Sequence, residues 1–162
     1  MKRTTRPAGD DFAAVVRAPT FCLGVRCDDA QVIGVEFLEP RPEVAPQNAL
    51  AAEAVRQLSA YLEDAESRLV LPLRPVGTPF QRRVWEQIAA IPVHETRSYG
   101  EIARSLHSAP RAVGRACGAN PYPLIVPCHR VLASGGRLGG FARQRGGFLI
   151  EVKRWLLAHE SG

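Results

Sequence analysis

Apolar and polar positions change period along this chain. Residues 12–18, 20–26 and 31–38 are rich in β-branched and aromatic side chains and are separated by Ala18-Pro19 and Asp28-Asp29-Ala30, which predicts three strands in an antiparallel meander. A proline-spaced loop over 40–46 follows. From Asn48 to Asp64 the residues Ala51, Val55, Leu58 and Leu62 recur at helical spacing, and residues 69–73 read as one more strand. Cys22 and Cys27 belong to this half, and their odd separation on a strand points the two thiols to opposite faces, as packing residues.

Arg74-Pro75-Val76-Gly77 marks a boundary, dividing the chain into domains 1–75 and 76–162. Behind it Thr78-Pro79-Phe80-Gln81 is a capping box with proline at the first helical position. It opens a helix through Ala90 that stops at Ile91-Pro92, with Phe80, Val84 and Ile88 as its apolar stripe. A second capping box, Ser98-Tyr99-Gly100-Glu101, opens a short helix with Ile102, Ala103 and Leu106 inward. Ser108-Ala109-Pro110 starts another, running to Gly118, with Val113, Ala116 and Cys117 on its buried side. Two short helices on a tight turn read as a helix-turn-helix whose second helix exposes Arg111 and Arg115, one turn apart. The last helix covers 148–159, with Phe148, Val152 and Leu156 inward. Ahead of it, glycine-rich runs over 134–141 and 143–147 free the backbone to approach a ligand closely or to form a lid.

Composition narrows the class. A chain of 162 residues with 46% hydrophobic content suits a folded globular protein, and no apolar run is long enough to span a membrane. Met1-Lys2-Arg3 is followed by no apolar signal core, so a cytoplasmic location is expected, and with it free thiols at positions 22, 27, 117 and 128. There is no Cys-x-x-Cys pair and no ligand spacing among the four histidines, so no metal is expected. The formal charge of +5 is unevenly spread: residues 1–75 hold 9 basic against 11 acidic side chains, and residues 76–162 hold 12 against 5. From Arg97 to Arg145 there are eight arginines and one acid, Glu101. An arginine-rich face suggests phosphate contacts, because the guanidinium fork matches phosphate oxygens.

Candidate chemistry lies in that basic half. In Asn120-Pro121-Tyr122-Pro123-Leu124-Ile125-Val126-Pro127-Cys128-His129-Arg130-Val131 an apolar run ends at a proline, and a thiol, an imidazole and a guanidinium follow in succession. The proline is expected to hold the backbone extended and to present Cys128 at a turn, with His129 and Arg130 as the side chains best able to favour a thiolate. The plainer alternative for the tripeptide alone is a buried structural cysteine beside a surface His-Arg pair.

This twelve-residue segment resembles the active-site signature of the O6-alkylguanine-DNA alkyltransferases, the methylated-DNA-protein-cysteine methyltransferases. The likeness runs in order from Phe80-Gln81-Arg82-Arg83-Val84-Trp85 through Glu95-Thr96-Arg97-Ser98-Tyr99-Gly100-Glu101-Ile102-Ala103 and Arg111-Ala112-Val113-Gly114 to Trp155-Leu156-Leu157-Ala158-His159-Glu160. It implies an α+β fold: a small antiparallel sheet with a helix, of ribonuclease-H-like shape, before a helical, winged-helix-like domain with a helix-turn-helix. It also implies roles. Cys128 resembles the alkyl acceptor, His129 the base that takes its proton through a water, Glu160 the carboxylate that orients the imidazole and favours the imidazolium, and Asn120 the brace of the turn. Tyr99 resembles the phenol that protonates the departing guanine, and Arg111 the finger that fills the stack when the nucleotide flips out. Ala112, Gly114, Arg115 and Ser134 would lie against DNA. The carbonyls of Cys128 and Val131 and the amide of Ala142 would read the base, with Pro123 and Phe141 as pocket walls.

The stretch from Phe141 to Lys153 is longer than the family's better-known pattern, and Ala142 stands where a serine is often found. Arg143 and Arg145 on this segment are expected to stay solvated until a phosphate is near. The implied reaction is stoichiometric DNA repair, without metal or organic cofactor, on double-stranded DNA containing O6-alkylguanine, by a protein expected to act as a monomer. O4-alkylthymine is a second substrate to test. Two other classes compete with it. A module that only binds alkylated DNA would lack Cys128, and a helix-turn-helix regulator would need an effector or dimerisation domain.

Overall fold

The structure, a computed structural model, describes residues 11–139 and 147–161. The β-branched run at the start forms the expected meander: β1 (Ala14–Arg17), β2 (Cys22–Cys27) and β3 (Val32–Leu38) pair antiparallel in that order, with Val16 opposite Leu23 and Leu23 opposite Phe37. Against this sheet packs α1 (Ala49–Glu63), started by Asn48, whose side chain accepts from the Ala51 amide at 2.7 Å. The buried side of α1 is turned from the expected one: Ala51, Ala54, Leu58 and Tyr61 face inward, while Val55 and Leu62 are half-buried. Cys22 is buried beside Phe12 and Val15, and Cys27 lies past a register shift, toward Asn48.

Residues 69–73 do not form the expected strand. Only Leu73 bridges to Val32, with the Val32 amide donating to Pro72 O at 2.7 Å. What satisfies the backbone upstream is a side chain: Gln57 donates to Val70 O at 2.9 Å and accepts from the Val70 amide at 2.7 Å, as a neighbouring strand would. Periodicity cannot reveal such a replacement, because it depends on a glutamine turned inward from α1.

Both capping boxes form. Thr78 and Gln81 exchange hydrogen bonds at the start of α2 (Pro79–Ala89), and Ser98 and Glu101 do the same at the start of α3 (Tyr99–Ser105). A four-residue turn leads from α3 to α4 (Pro110–Gly118), and the Trp85 indole of α2 donates to Ala116 O at 2.8 Å, fixing α4 across it. Between these helices run two very short parallel strands, β4 (Arg97–Ser98) and β5 (Val131–Leu132), with Arg97 opposite Val131 and Ser98 opposite Leu132. The chain ends in α5 (Phe148–Glu160), whose inward side is Ile150, Val152, Lys153, Leu156 and Glu160, with Phe148 only half-buried.

One main core draws on both sides of the 75/76 boundary, joining Phe21 and Leu58 to Val84, Val131 and Leu156. Trp155 of α5 meets Phe21 edge-on at 5.3 Å and stacks on His159 at 4.8 Å, so the last helix is seated against the first sheet. No helix among the described residues is long and apolar enough to cross a membrane.

If Gln57 substitutes for a strand neighbour, Gln57→Ala strips the Val70 amide and carbonyl of their partner. Urea unfolding should show a loss of about 0.5–1.5 kcal/mol, and hydrogen exchange should show the Val70 amide losing protection while the β1–β3 amides keep theirs. Unchanged exchange at Val70 would contradict the assignment.

Candidate active site

Cys128 sits on a turn tighter than the sequence suggests. Leu124 takes a left-handed backbone, φ 76°, and the Val126 amide returns to Tyr122 O at 2.8 Å, so the apolar run is a closed loop and not a strand end. A leucine held there costs roughly 1–2 kcal/mol. Pro127 is not extended either: at φ −81° and ψ 69° it makes an inverse γ-turn, closed by the Cys128 amide on Val126 O at 2.8 Å. Cys128 then opens a single 3-10 turn, Cys128–Arg130.

Asn120 holds this geometry together. Its side-chain oxygen accepts from the Tyr122 amide at 2.9 Å, and its side-chain nitrogen lies 2.9 Å from Val126 O and 3.2 Å from Cys128 Sγ. One amide therefore ties both ends of the loop and gives a hydrogen to the sulfur. Cys128 is 4% exposed, and its thiol also reaches Cys117 O at 3.8 Å.

The imidazole of His129 is fully buried. Its Nε2 donates to Glu160 Oε2 at 2.8 Å, which leaves Nδ1 as the acceptor, and Nδ1 has no partner among the described residues. Glu160, at the end of α5, also accepts from Arg130 Nε at 2.8 Å, from Arg130 Nη2 at 3.0 Å and from the Tyr61 hydroxyl at 2.5 Å. Burial alone would raise the Glu160 carboxyl, but the hydrogen bonds from His129, Arg130 and Tyr61 outweigh it and hold the group well below the ordinary carboxylate range. For His129 burial is also the largest effect and lowers it. Glu160 pulls the other way, and the nearby Arg130 and Lys153 cations lower it further. The resting imidazole is therefore neutral: Glu160 favours the imidazolium, and burial together with the two cations outweighs it.

Arg130 is also not where the sequence suggested. Its guanidinium is committed to Glu160 and, through Nη1, to Ile91 O at 2.7 Å, so it supports the imidazole's partner. Lys153 is the cation whose field reaches the thiols, and sequence reasoning missed it. It is fully buried, donates to Val131 O at 2.9 Å and Leu138 O at 2.7 Å, lies 6.0 Å from the Tyr99 ring centroid, and burial pushes its ammonium down to about 8. A signal existed. Lys153 is the one lysine in a half whose other basic residues are all arginines, and it adjoins the inward Val152. Tyr61 was missed as well, because nothing near it in sequence marks it as a partner for a residue in the last helix.

Tyr99 reaches the site through the β4–β5 pair, which lays the start of α3 beside the residues that follow Cys128. Burial first, then the neighbouring Cys117 and Cys128 thiols, push its hydroxyl far up, so it stays protonated. Val131 is buried and its carbonyl already accepts from Lys153, while the Cys128 carbonyl accepts from the Val131 amide; each keeps a second lone pair. Pro123 is half-buried at the loop's rim. Ser134 is exposed and lines an open groove with Tyr99 and Pro110. On α4, Arg111 and Arg115 are exposed and Ala112 and Gly114 half-exposed. A methyl group at Gly114 would meet nothing within 4 Å, so no internal packing requires glycine there. Phe141, Ala142, Arg143 and Arg145 lie outside the described residues.

Both acidic shifts act on stability in one direction. The folded pKa of Glu160 and of His129 is depressed, so each stabilises the fold above its unfolded pKa, about 4.3 and about 6.5, and that contribution is lost as pH falls. Wild-type protein should weaken in urea as pH falls through both windows, and Glu160→Gln should lack the lower one. Near pH 7, long-range nitrogen NMR should find His129 protonated at Nε2 alone; a doubly protonated ring would overturn the neutral assignment.

The chain is similar to known proteins in sequence and in fold. Residues 79–162 match the family model for the 6-O-methylguanine DNA methyltransferase, DNA binding domain. A Mycobacterium leprae protein named methylated-DNA–protein-cysteine methyltransferase is 48% identical over 113 residues, 68% of each chain, and a Methanosarcina acetivorans protein of the same name is 44% identical over 110 residues, 67% of each. The crystal structure of Mycobacterium tuberculosis OGT in complex with DNA superposes with a TM-score of 0.75 at 37% identity, covering 91% of each chain. The Cys128 turn, its buried His129–Glu160 pair and the two short helices beside it are thus found in a chain that belongs to the 6-O-methylguanine DNA methyltransferase family.

Proposed function

We propose that this protein repairs DNA directly, moving one alkyl group from O6 of guanine to Cys128 Sγ. The observation that carries the reading is the buried Glu160–His129 pair, whose second ring nitrogen is left as an acceptor in the residue next to the buried Cys128. Adjacent side chains diverge from the backbone, so His129 Nδ1 takes the Cys128 proton through a bridging water, and the resulting imidazolium is held by Glu160. The thiolate keeps the Asn120 hydrogen bond and the field of Lys153. It attacks the alkyl carbon, the carbon–O6 bond breaks, and Tyr99, held protonated, gives a proton to the departing guanine. The product thioether has no carbonyl for water to attack, so each molecule acts once.

A stacked guanine cannot bring its O6 substituent to a buried sulfur, so the nucleotide must flip out. We read α3 and α4 as a helix-turn-helix in a winged-helix-like domain, residues 76–162, preceded by a ribonuclease-H-like domain, residues 1–75. Arg111 fills the vacated stack, Arg115 and Ser134 meet the backbone, and Ala112 and Gly114 let α4 come close; the absence of any packing need for Gly114 supports this. The carbonyls of Cys128 and Val131, with Pro123, Phe141 and Ala142, form the base pocket.

Intact-protein mass after incubation with duplex DNA carrying O6-methylguanine should rise by one methyl, on Cys128, and by no more with excess substrate. Unmodified protein in a reaction that consumes the lesion would end the proposal. The same assay with O4-methylthymine sets the substrate range. Arg111→Ala should slow repair of duplex DNA by roughly tenfold or more, while reaction with a free alkylguanine base, which needs no flipping, stays near wild type. Equal losses would place Arg111 elsewhere.

A further inference from the structure

Cys117 is a thiol that the proposed reaction does not use, yet it lies against the one that it does. It sits in the last turn of α4, half-buried, and the Cys128 thiol contacts its backbone oxygen at 3.8 Å. Cys128 first, and burial next, push the Cys117 thiol strongly up, so it rests as neutral S–H. The other two cysteines, Cys22 and Cys27, lie in separate packing clusters of the first sheet.

We propose that Cys117 is a resolving thiol, forming a disulfide with Cys128 that shields the alkyl acceptor from irreversible oxidation and switches transfer off reversibly. The features that make Cys128 nucleophilic, an amide hydrogen bond and a nearby buried ammonium, also expose it to peroxide. Hydrogen peroxide takes the two electrons: the Cys128 thiolate attacks one oxygen, the O–O bond breaks, and a sulfenic acid and hydroxide result. Cys117 sulfur then attacks the sulfenic sulfur, its proton leaves with the hydroxyl group as water, and the disulfide remains. Lacking such a neighbour, the sulfenic acid would go on to sulfinic and sulfonic acids, which a thiol reductant does not restore. The proposal rests on the functional reading only for its consequence, since disulfide formation is scored without any transfer.

The chain allows a direct test, because trypsin releases Ala116–Arg130 as one peptide holding both thiols. After mild hydrogen peroxide treatment of the full-length protein, this peptide should be lighter by two hydrogens, and dithiothreitol should restore both its mass and methyl transfer. In Cys117→Ala, and in Cys117→Ser as a second variant, the same treatment should add two or three oxygens at Cys128, and dithiothreitol should recover little of each variant's own starting activity. Oxygen addition in place of hydrogen loss in the wild type, or equal recovery in all three proteins, would overturn the proposal. If untreated protein transfers no methyl while the peptide still loses two hydrogens, the functional reading fails and the disulfide stands.

Discussion

A carboxylate removed from water is the constraint on which this structure turns. Glu160 is 2% exposed, and a bare charge in that position would cost several kcal/mol. It stays ionised because three donor residues from two separate parts of the chain converge on it: Tyr61 of α1, and His129 and Arg130 of the Cys128 turn. Each of those elements is fixed in turn by what the carboxylate requires. The turn must lie with its imidazole edge toward α5, and α1 must present a tyrosine where helical spacing alone would have chosen Leu62.

That arrangement explains why the sheet half and the helical half share a core. The contacts of Trp155 with Phe21, and of His159 with Tyr61 O at 2.7 Å, hold the end of α5 where Glu160 can reach the turn. The first half is therefore more than a neighbour of the site. It sets the position of the charge that keeps His129 in one tautomer.

Much of this was legible in the sequence where a local chemical rule applied. The two capping boxes announced α2 and α3, the β-branched runs announced the meander, and Asn120 and Cys128–His129 announced the reactive turn. The failures share one cause, which is that the deciding partner is distant in sequence. Gln57 replaces a strand at Val70; Arg130 turns from its neighbour Cys128 to a carboxylate thirty residues on; Lys153 occupies the cationic role assigned to it. Pro127 shows the complementary limit. Proline fixes φ but leaves ψ free, and a ψ of 69° turns an expected extended segment into a γ-turn.

The order in which Glu160 appears along the chain has a consequence for biosynthesis. A polypeptide is made from its N-terminus, so Tyr61, Tyr99, Asn120 and Cys128 all emerge before the residue that completes the relay. Until α5 has been made and has docked, the imidazole has no carboxylate to set its tautomer and the thiol has no buried ammonium nearby. A nascent chain thus exposes Cys128 and His129 before the carboxylate and the ammonium that are buried with them in the folded protein have been made.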